Sequence, residues 1–306
     1  MRAVFTGRLL AGLSAVVVLA GCTAHGASAS SGSASSRSTS SSSASRSPSA
    51  APTGSAAGGS YLALGDSVPF GFRAGLTAEY KNAANFVGYP ELVGKDLGLA
   101  VVNAACPGET TASFLDVTAQ SNGCENVPGS ASGFRDHFPL HVAYDSPAQP
   151  QMAYALETLR RDAHVRLITV QIGANDGFLC ESTTPDHCQS PAEFQAVGQR
   201  VQTNLGKILA TLRKDGHYAG RIVVVNYYAL DYASQAATAS SLLNAVLGAV
   251  AAANGATVAD SFTAFQKAAA GSGGNAVTAG LVLTNDVHPS AKGQRLLADT
   301  VEAVAR

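Results

Sequence analysis

The 306-residue chain has no tryptophan, only 13% charged residues and a formal net charge of −1. With Lys and Arg together at 20 against 21 for Asp and Glu, there is no basic excess for a nucleic-acid backbone and no acidic excess for a solvating tail. A small or uncharged partner is the expectation that remains. The cysteines contain no Cys-x-x-Cys pair, and His187 adjoins Cys188 instead of standing at finger-like spacing, so a zinc site is not expected. The apolar run Leu9 to Ala20 is about a dozen residues, too short to span a bilayer. The chain also lacks a Gly-x-Ser-x-Gly elbow, which argues against an ordinary α/β-hydrolase.

At the N-terminus, Arg2 and Arg8 precede that apolar run as they do in an export signal. The run ends in Leu19-Ala20-Gly21-Cys22, which resembles the lipobox of bacterial lipoproteins. The resemblance implies a signal peptide over residues 1–21, acylation of Cys22 and a membrane-anchored, extracytoplasmic protein. An ordinary secretory signal cut nearby is the alternative, and it too places the chain outside the cytoplasm. Residues 22–59 are almost entirely Ser, Ala, Gly and Thr, too polar and small to fold, and read as a tether. As a coil, the stretch after Cys22 would span roughly 35 Å, and fully extended about 120 Å.

Residues 60–306 are long enough for one domain with a sizeable core. An oxidising compartment makes the remaining even set, Cys106, Cys124, Cys180 and Cys188, a disulfide framework. Of the three pairings, Cys106 with Cys124 and Cys180 with Cys188 are favoured because both close short loops. Strands are expected at Tyr61–Leu64, Ala100–Asn103, Val165–Ile172, Arg221–Asn226 and Thr257–Ala259. Helices are expected near Tyr89–Leu97, Thr111–Val117, Gln151–Arg160, Ala236–Ala253 and Ser290–Ala305. A further long helix should start from the capping box Ser190-Pro191-Ala192-Glu193 and run toward Asp215. The alternation predicts a three-layer α/β/α sandwich around a mainly five-stranded parallel, flavodoxin-like sheet, with ligands at the carboxyl ends of the strands.

The unusual residues stand at those ends. Gly65-Asp66-Ser67-Val68 follows the first strand, Asn103-Ala104-Ala105-Cys106-Pro107-Gly108 the second, Gly173-Ala174-Asn175-Asp176 the third, and Asp286-Val287-His288-Pro289-Ser290 lies near the C-terminus. Each alone is weak; together and in this order they resemble the SGNH or GDSL hydrolase family. The resemblance implies a serine hydrolase acting on carboxylic esters, with Ser67 as nucleophile, His288 as general base and an oxyanion hole of the Ser67 and Gly108 backbone N–H groups and the Asn175 side chain. No metal or organic cofactor is implied. A serine hydroxyl is a poor nucleophile until a base takes its proton, so Ser67 and His288 need each other. Asp176 is expected to fix its loop and not to react. His137 and His141 have the spacing of a metal pair, but Pro139 breaks the helix that spacing requires, and both are expected to be solvated loop residues.

The chain departs from the family at the acid. The usual acid position, three residues before the histidine, holds Asn285, while Asp286 stands one residue closer. Asp286 is the expected orienting acid, with Asn285, a backbone carbonyl or a remote carboxylate as alternatives. Segment 116–150 and the loop Tyr227–Tyr232 are expected to line the pocket, whose aromatic residues tilt toward acyl chains. A lipid or small-molecule ester is the expected substrate and a monomer the expected state. A carbohydrate or cell-wall O-acetylesterase is the alternative enzyme, and a catalytically silent lipid- or glycan-binding lipoprotein the alternative outside enzymes.

Overall fold

Every residue of Ser60–Gly65 is buried, as a strand covered on both faces requires, and this strand (β1) runs near the middle of the sheet. The structure is a computed structural model and describes residues 58–124 and 133–306. The expected signal peptide, Cys22 and nearly all of the tether lie outside the described residues.

The other strands are β2 (Ala100–Asn103), β3 (Val165–Gln171), β4 (Arg221–Val225) and β5 (Thr257–Ala259), all parallel in the order β2-β1-β3-β4-β5. In register, Leu62 pairs with Val102 on one side and Ile168 on the other. The helices are α1 (Ser67–Phe70), α2 (Thr77–Tyr80), α3 (Tyr89–Leu97), α4 (Phe134–His137), α5 (Gln151–Arg161), α6 (Ala174–Thr183), α7 (Pro191–Lys214), α8 (Gln235–Ala253), α9 (Ser261–Ala269) and α10 (Ala291–Ala305). The helices pack with α3 on one face beside α9 and α10, and α5, α7 and α8 on the other. The chain moves one way from β1 to β2 and the other way to β3. The switch point, where α/β sheets bind ligands, therefore lies between the ends of β1 and β3.

In α7, Val197, Val201, Leu205, Ile208, Leu209 and Leu212 recur at intervals that form one helical stripe, and all are buried. Burying each such side chain contributes about 1.5–3 kcal/mol. Ser190 caps α7 by accepting from the Glu193 N–H at 3.2 Å, but no return bond from Glu193 closes the expected box. The expected helix near Thr111–Val117 is instead a run of turns. Five helices were not expected: the single-turn α1, α2 and α4, and the longer α6 and α9; α6 opens on Ala-Asn-Asp-Gly and shows little amphipathic pattern. Disulfides join Cys106 to Cys124 and Cys180 to Cys188, with Cα separations of 5.8 and 5.4 Å, in the expected pairing.

Candidate active site

The tip of β1 turns at Gly65, whose φ of 136° and whose close approach to the Gln171 carbonyl leave no room for a Cβ. Gln151 clamps this turn, accepting from the Gly65 N–H at 2.6 Å and donating to its carbonyl at 3.0 Å. Asp66 then caps α1 by accepting from the Val68 N–H at 3.0 Å. Since Asp66 supplies the cap, the Ser67 hydroxyl is not consumed by one. Asn103 donates to the Pro69 carbonyl at 2.8 Å and Gln294 to that of Val68 at 3.1 Å, so three side-chain amides fix the turn that carries Ser67.

His288 arrives on the loop before α10, with Nε2 2.9 Å from Ser67 Oγ and Nδ1 2.5 Å from Asp286 Oδ1. The two side chains are only 13% and 10% exposed. Burial pushes the Asp286 carboxyl up, but the hydrogen bond and charge of His288, with the Ala74 N–H at 3.1 Å, outweigh it and hold the group at about 2. Asn285 is exposed at φ 57° and serves as the turn residue, so its side chain does not occupy the acid's place. Phe72 packs edge-on against the imidazole at 4.9 Å, and the Tyr228 hydroxyl donates to the Val287 carbonyl at 2.6 Å. Phe72 was not legible as part of the site, whereas Tyr228 belongs to a loop expected there.

Asn175 lies in the first turn of α6, buried at the switch point, and its Oδ1 accepts from Asn122 Nδ2 at 2.9 Å. That bond commits the oxygen and leaves the amide N–H groups as donors toward the cleft. The Asn122 N–H also donates to the Gly108 carbonyl at 2.7 Å, which ties together the loops carrying two of the expected oxyanion donors. Gly108 has φ 84°, and a Cβ there would lie 2.3 Å from the Asn122 carbonyl oxygen, so only glycine fits. Cys106–Cys124 pins the Gly108 loop to the segment that carries Asn122. Asp176 accepts from the Thr111 N–H at 2.8 Å and hydroxyl at 2.6 Å, the loop-fixing position expected of it.

Two buried carboxyls stand just behind these groups. Burial raises Asp66 to about 6, against the hydrogen bonds it accepts from Tyr227 and Val68. Burial likewise raises Glu109 to about 7, against bonds from Ser113 and Gln151.

A cavity of about 870 Å³ opens beside Ser67, His288 and Asn175. Tyr227, Tyr228 and Leu230 border it as expected, but among the described residues nothing from 116–150 does; its walls come from α6, α7 and α8. The expectation for that insert is corrected because residues 134–138 pack instead into an aromatic cluster with Phe70, Phe72, Tyr80 and Phe86. His141 also differs from expectation. It is half-buried, donates to the Phe70 carbonyl at 3.0 Å and packs on the Phe70 ring, while His137 closes α4 on the other side of Pro139.

Residues 63–296 match the model of the GDSL-like lipase/acylhydrolase family. No curated protein sequence matches the chain. Among solved structures, the lipase Lip_vut3 from a goat rumen metagenome is similar at a TM-score of 0.53 and 17% identity, covering 80% of this chain and 96% of that one. LAE5, an alpha/beta hydrolase enzyme from the metagenome of Lake Arreo in Spain, is similar at 0.51 and 16%, covering 82% and 96%. A catalytic mutant of Axe2, an acetylxylan esterase from Geobacillus stearothermophilus, is similar at 0.50 and 16%, covering 81% and 94%. At these identities the likeness is one of fold.

Proposed function

The chain belongs to the GDSL-like lipase/acylhydrolase family, and from that premise we propose that it is a serine ester hydrolase working through an acyl-enzyme on Ser67. The observation that carries this reading is the continuous chain from Ser67 Oγ to His288 Nε2 at 2.9 Å and from His288 Nδ1 to Asp286 at 2.5 Å. His288 takes the Ser67 proton as Oγ attacks the ester carbonyl, and Asp286 stabilises the imidazolium that forms. The oxyanion is received by the Ser67 and Gly108 N–H groups and by Asn175, whose oxygen Asn122 already holds. His288 then protonates the departing alkoxide, and a water molecule, deprotonated by the same imidazole, releases the carboxylic acid.

The mostly apolar cavity supports esters of apolar groups over acetylated glycans, which would need polar partners in a cleft of this size. The intact set Ser67, Gly108, Asn175 and His288 supports catalysis over silent binding. In the test, the full-length protein hydrolyses a soluble nitrophenyl ester and Ser67→Ala, with an unchanged circular dichroism spectrum, does not. Equal turnover by that variant would remove Ser67 from the chemistry.

The same proposal includes export and anchoring by lipid on Cys22, supported by Leu19-Ala20-Gly21-Cys22 at the end of the apolar leader. Cys22→Ser is expected to move the protein from the membrane fraction to the medium. Retention of that variant on membranes at high salt would contradict the anchor.

A further inference from the structure

Glu109 is buried in a polar knot that no step of the hydrolysis uses. It follows Gly108 directly in the chain. Its Oε2 accepts from Gln151 Nε2 at 3.1 Å, while its other oxygen accepts from the Ser113 hydroxyl. Gln151, itself fully buried, has no hydrogen to spare. One Nε2 hydrogen goes to Glu109 and the other to the Gly65 carbonyl, and Oε1 accepts from the Gly65 N–H. The Gly65 carbonyl also accepts from the Cys106 N–H at 3.0 Å. Glu109 therefore reaches both loops that supply backbone donors to the oxyanion. Its main chain continues from Gly108, and its carboxyl, through Gln151, holds the turn just before Ser67.

The same carboxyl is set against sulfur. Oε2 lies 3.5 Å from Cys124 Sγ, and a disulfide sulfur carries no hydrogen, so it can only accept. An ionised Oε2 would face that sulfur without a donor, whereas a protonated Oε2 donates to it weakly and still accepts from Gln151. Among the described residues, the charged and titratable groups acting on Glu109 are Arg135 of α4, Asp66 and Tyr144. Arg135 is engaged elsewhere: its guanidinium lies 3.7 Å over the Tyr144 ring and donates to the Ser146 carbonyl at 2.9 Å. Asp66 adds a like charge. Burial, the largest influence, agrees with this geometry by pushing the carboxyl up to about 7.

We propose that Glu109 is a positioning residue for the hydrolysis, which in its neutral acid form sets, through Gln151, the spacing between the Ser67 and Gly108 N–H donors. Ionisation places a negative charge on the residue beside an oxyanion donor, where it opposes the charge developing on the substrate oxygen. Glu109 does not border the cavity, so its effect belongs to the transition state and not to substrate binding. This rests on the ester-hydrolase reading above.

The test measures kcat and KM of the full-length protein on nitrophenyl butyrate from about pH 5 to 9, with circular dichroism at each pH. Wild type, Glu109→Gln, Glu109→Ala, Gln151→Ala and the double alanine variant are compared. Wild-type kcat is expected to fall by about three- to tenfold between roughly pH 7 and 9 as Glu109 ionises. Glu109→Gln carries no charge and still offers Gln151 an acceptor, its amide hydrogens turning to the Ser113 oxygen. It should keep kcat within about threefold of wild type near pH 6.5 and lose the alkaline decline. Glu109→Ala and Gln151→Ala should each lower kcat by about 10- to 100-fold with KM within about twofold, and the double variant should be no slower than the slower single one. The glutamine variant's pH profile decides the matter even where an alanine variant fails to fold. Unchanged kcat in Glu109→Ala, a loss in KM alone, or additive losses in the alanine pair would overturn the proposal. A Glu109→Gln variant as slow as Glu109→Ala, or one that keeps the wild-type decline, would overturn the neutral form. A wild type that hydrolyses no ester, or whose activity survives Ser67→Ala, would strike the ester-hydrolase reading itself and this role with it.

Discussion

Asp286 folds back onto its own segment to reach His288. Its Oδ1 accepts from the Val287 N–H at 2.7 Å and the His288 N–H at 3.2 Å as well as facing the ring nitrogen at 2.5 Å. The left-handed turn at Asn285 makes this geometry available to an acid only two residues before the base, where an extended segment is not needed.

Asp286→Ala is expected to lower turnover by about 10²- to 10⁴-fold. Asn285→Gly should cost little, because glycine adopts the same turn. In Asp286→Asn, the imidazolium that forms during the reaction loses its compensating negative charge, so the plateau of the pH–activity profile falls. Turnover against pH for these variants checks it. Near-native turnover in Asp286→Ala would dismiss the carboxylate as the orienting group.

Asn122 acts through Asn175. Asn175→Ala is expected to lower kcat by about 10²- to 10³-fold as an oxyanion donor is lost. Asn122→Ala should lower kcat less, by about tenfold, with KM nearly unchanged, and the double variant should be no slower than Asn175→Ala alone. Additive losses in this cycle would show that the two amides act separately.

Glu109 supplies a pH dependence of stability. Its carboxyl titrates at about 7 in the folded chain and near 4.5 when unfolded. Between those values the folded state binds more protons, so this group makes stability fall as pH rises from about 4.5 to 7. Asp66, at about 6, adds a fall over the lower part of that window. Glu109→Gln is expected to flatten the dependence and raise stability at pH 8 by on the order of 1–3 kcal/mol. Denaturant midpoints at pH 5 and 8 for both proteins measure it. A wild type equally stable at both would contradict the raised carboxyl.

Ser67, Asn175 and His288 were legible because each is embedded in a short motif at a strand end or helix start, where local spacing carries the signal. The five strands were legible for the same reason: buried parallel strands read as continuous apolar runs. Asn122 was not, since its partner Asn175 lies 53 residues away and no short motif marks the contact. The cavity walls were misread because the insert after residue 116 is rich in loop residues, whereas the true walls are helices whose apolar faces read equally well as core.

The central claim is that Ser67 is the nucleophile, activated by His288. Incubation of the full-length protein with a fluorophosphonate probe, followed by mass analysis of its peptides, tests it most directly. One adduct on Ser67 is expected, lost in Ser67→Ala and formed at least about 100-fold more slowly in His288→Ala. Labelling of another residue, or an undiminished rate without His288, would contradict the account.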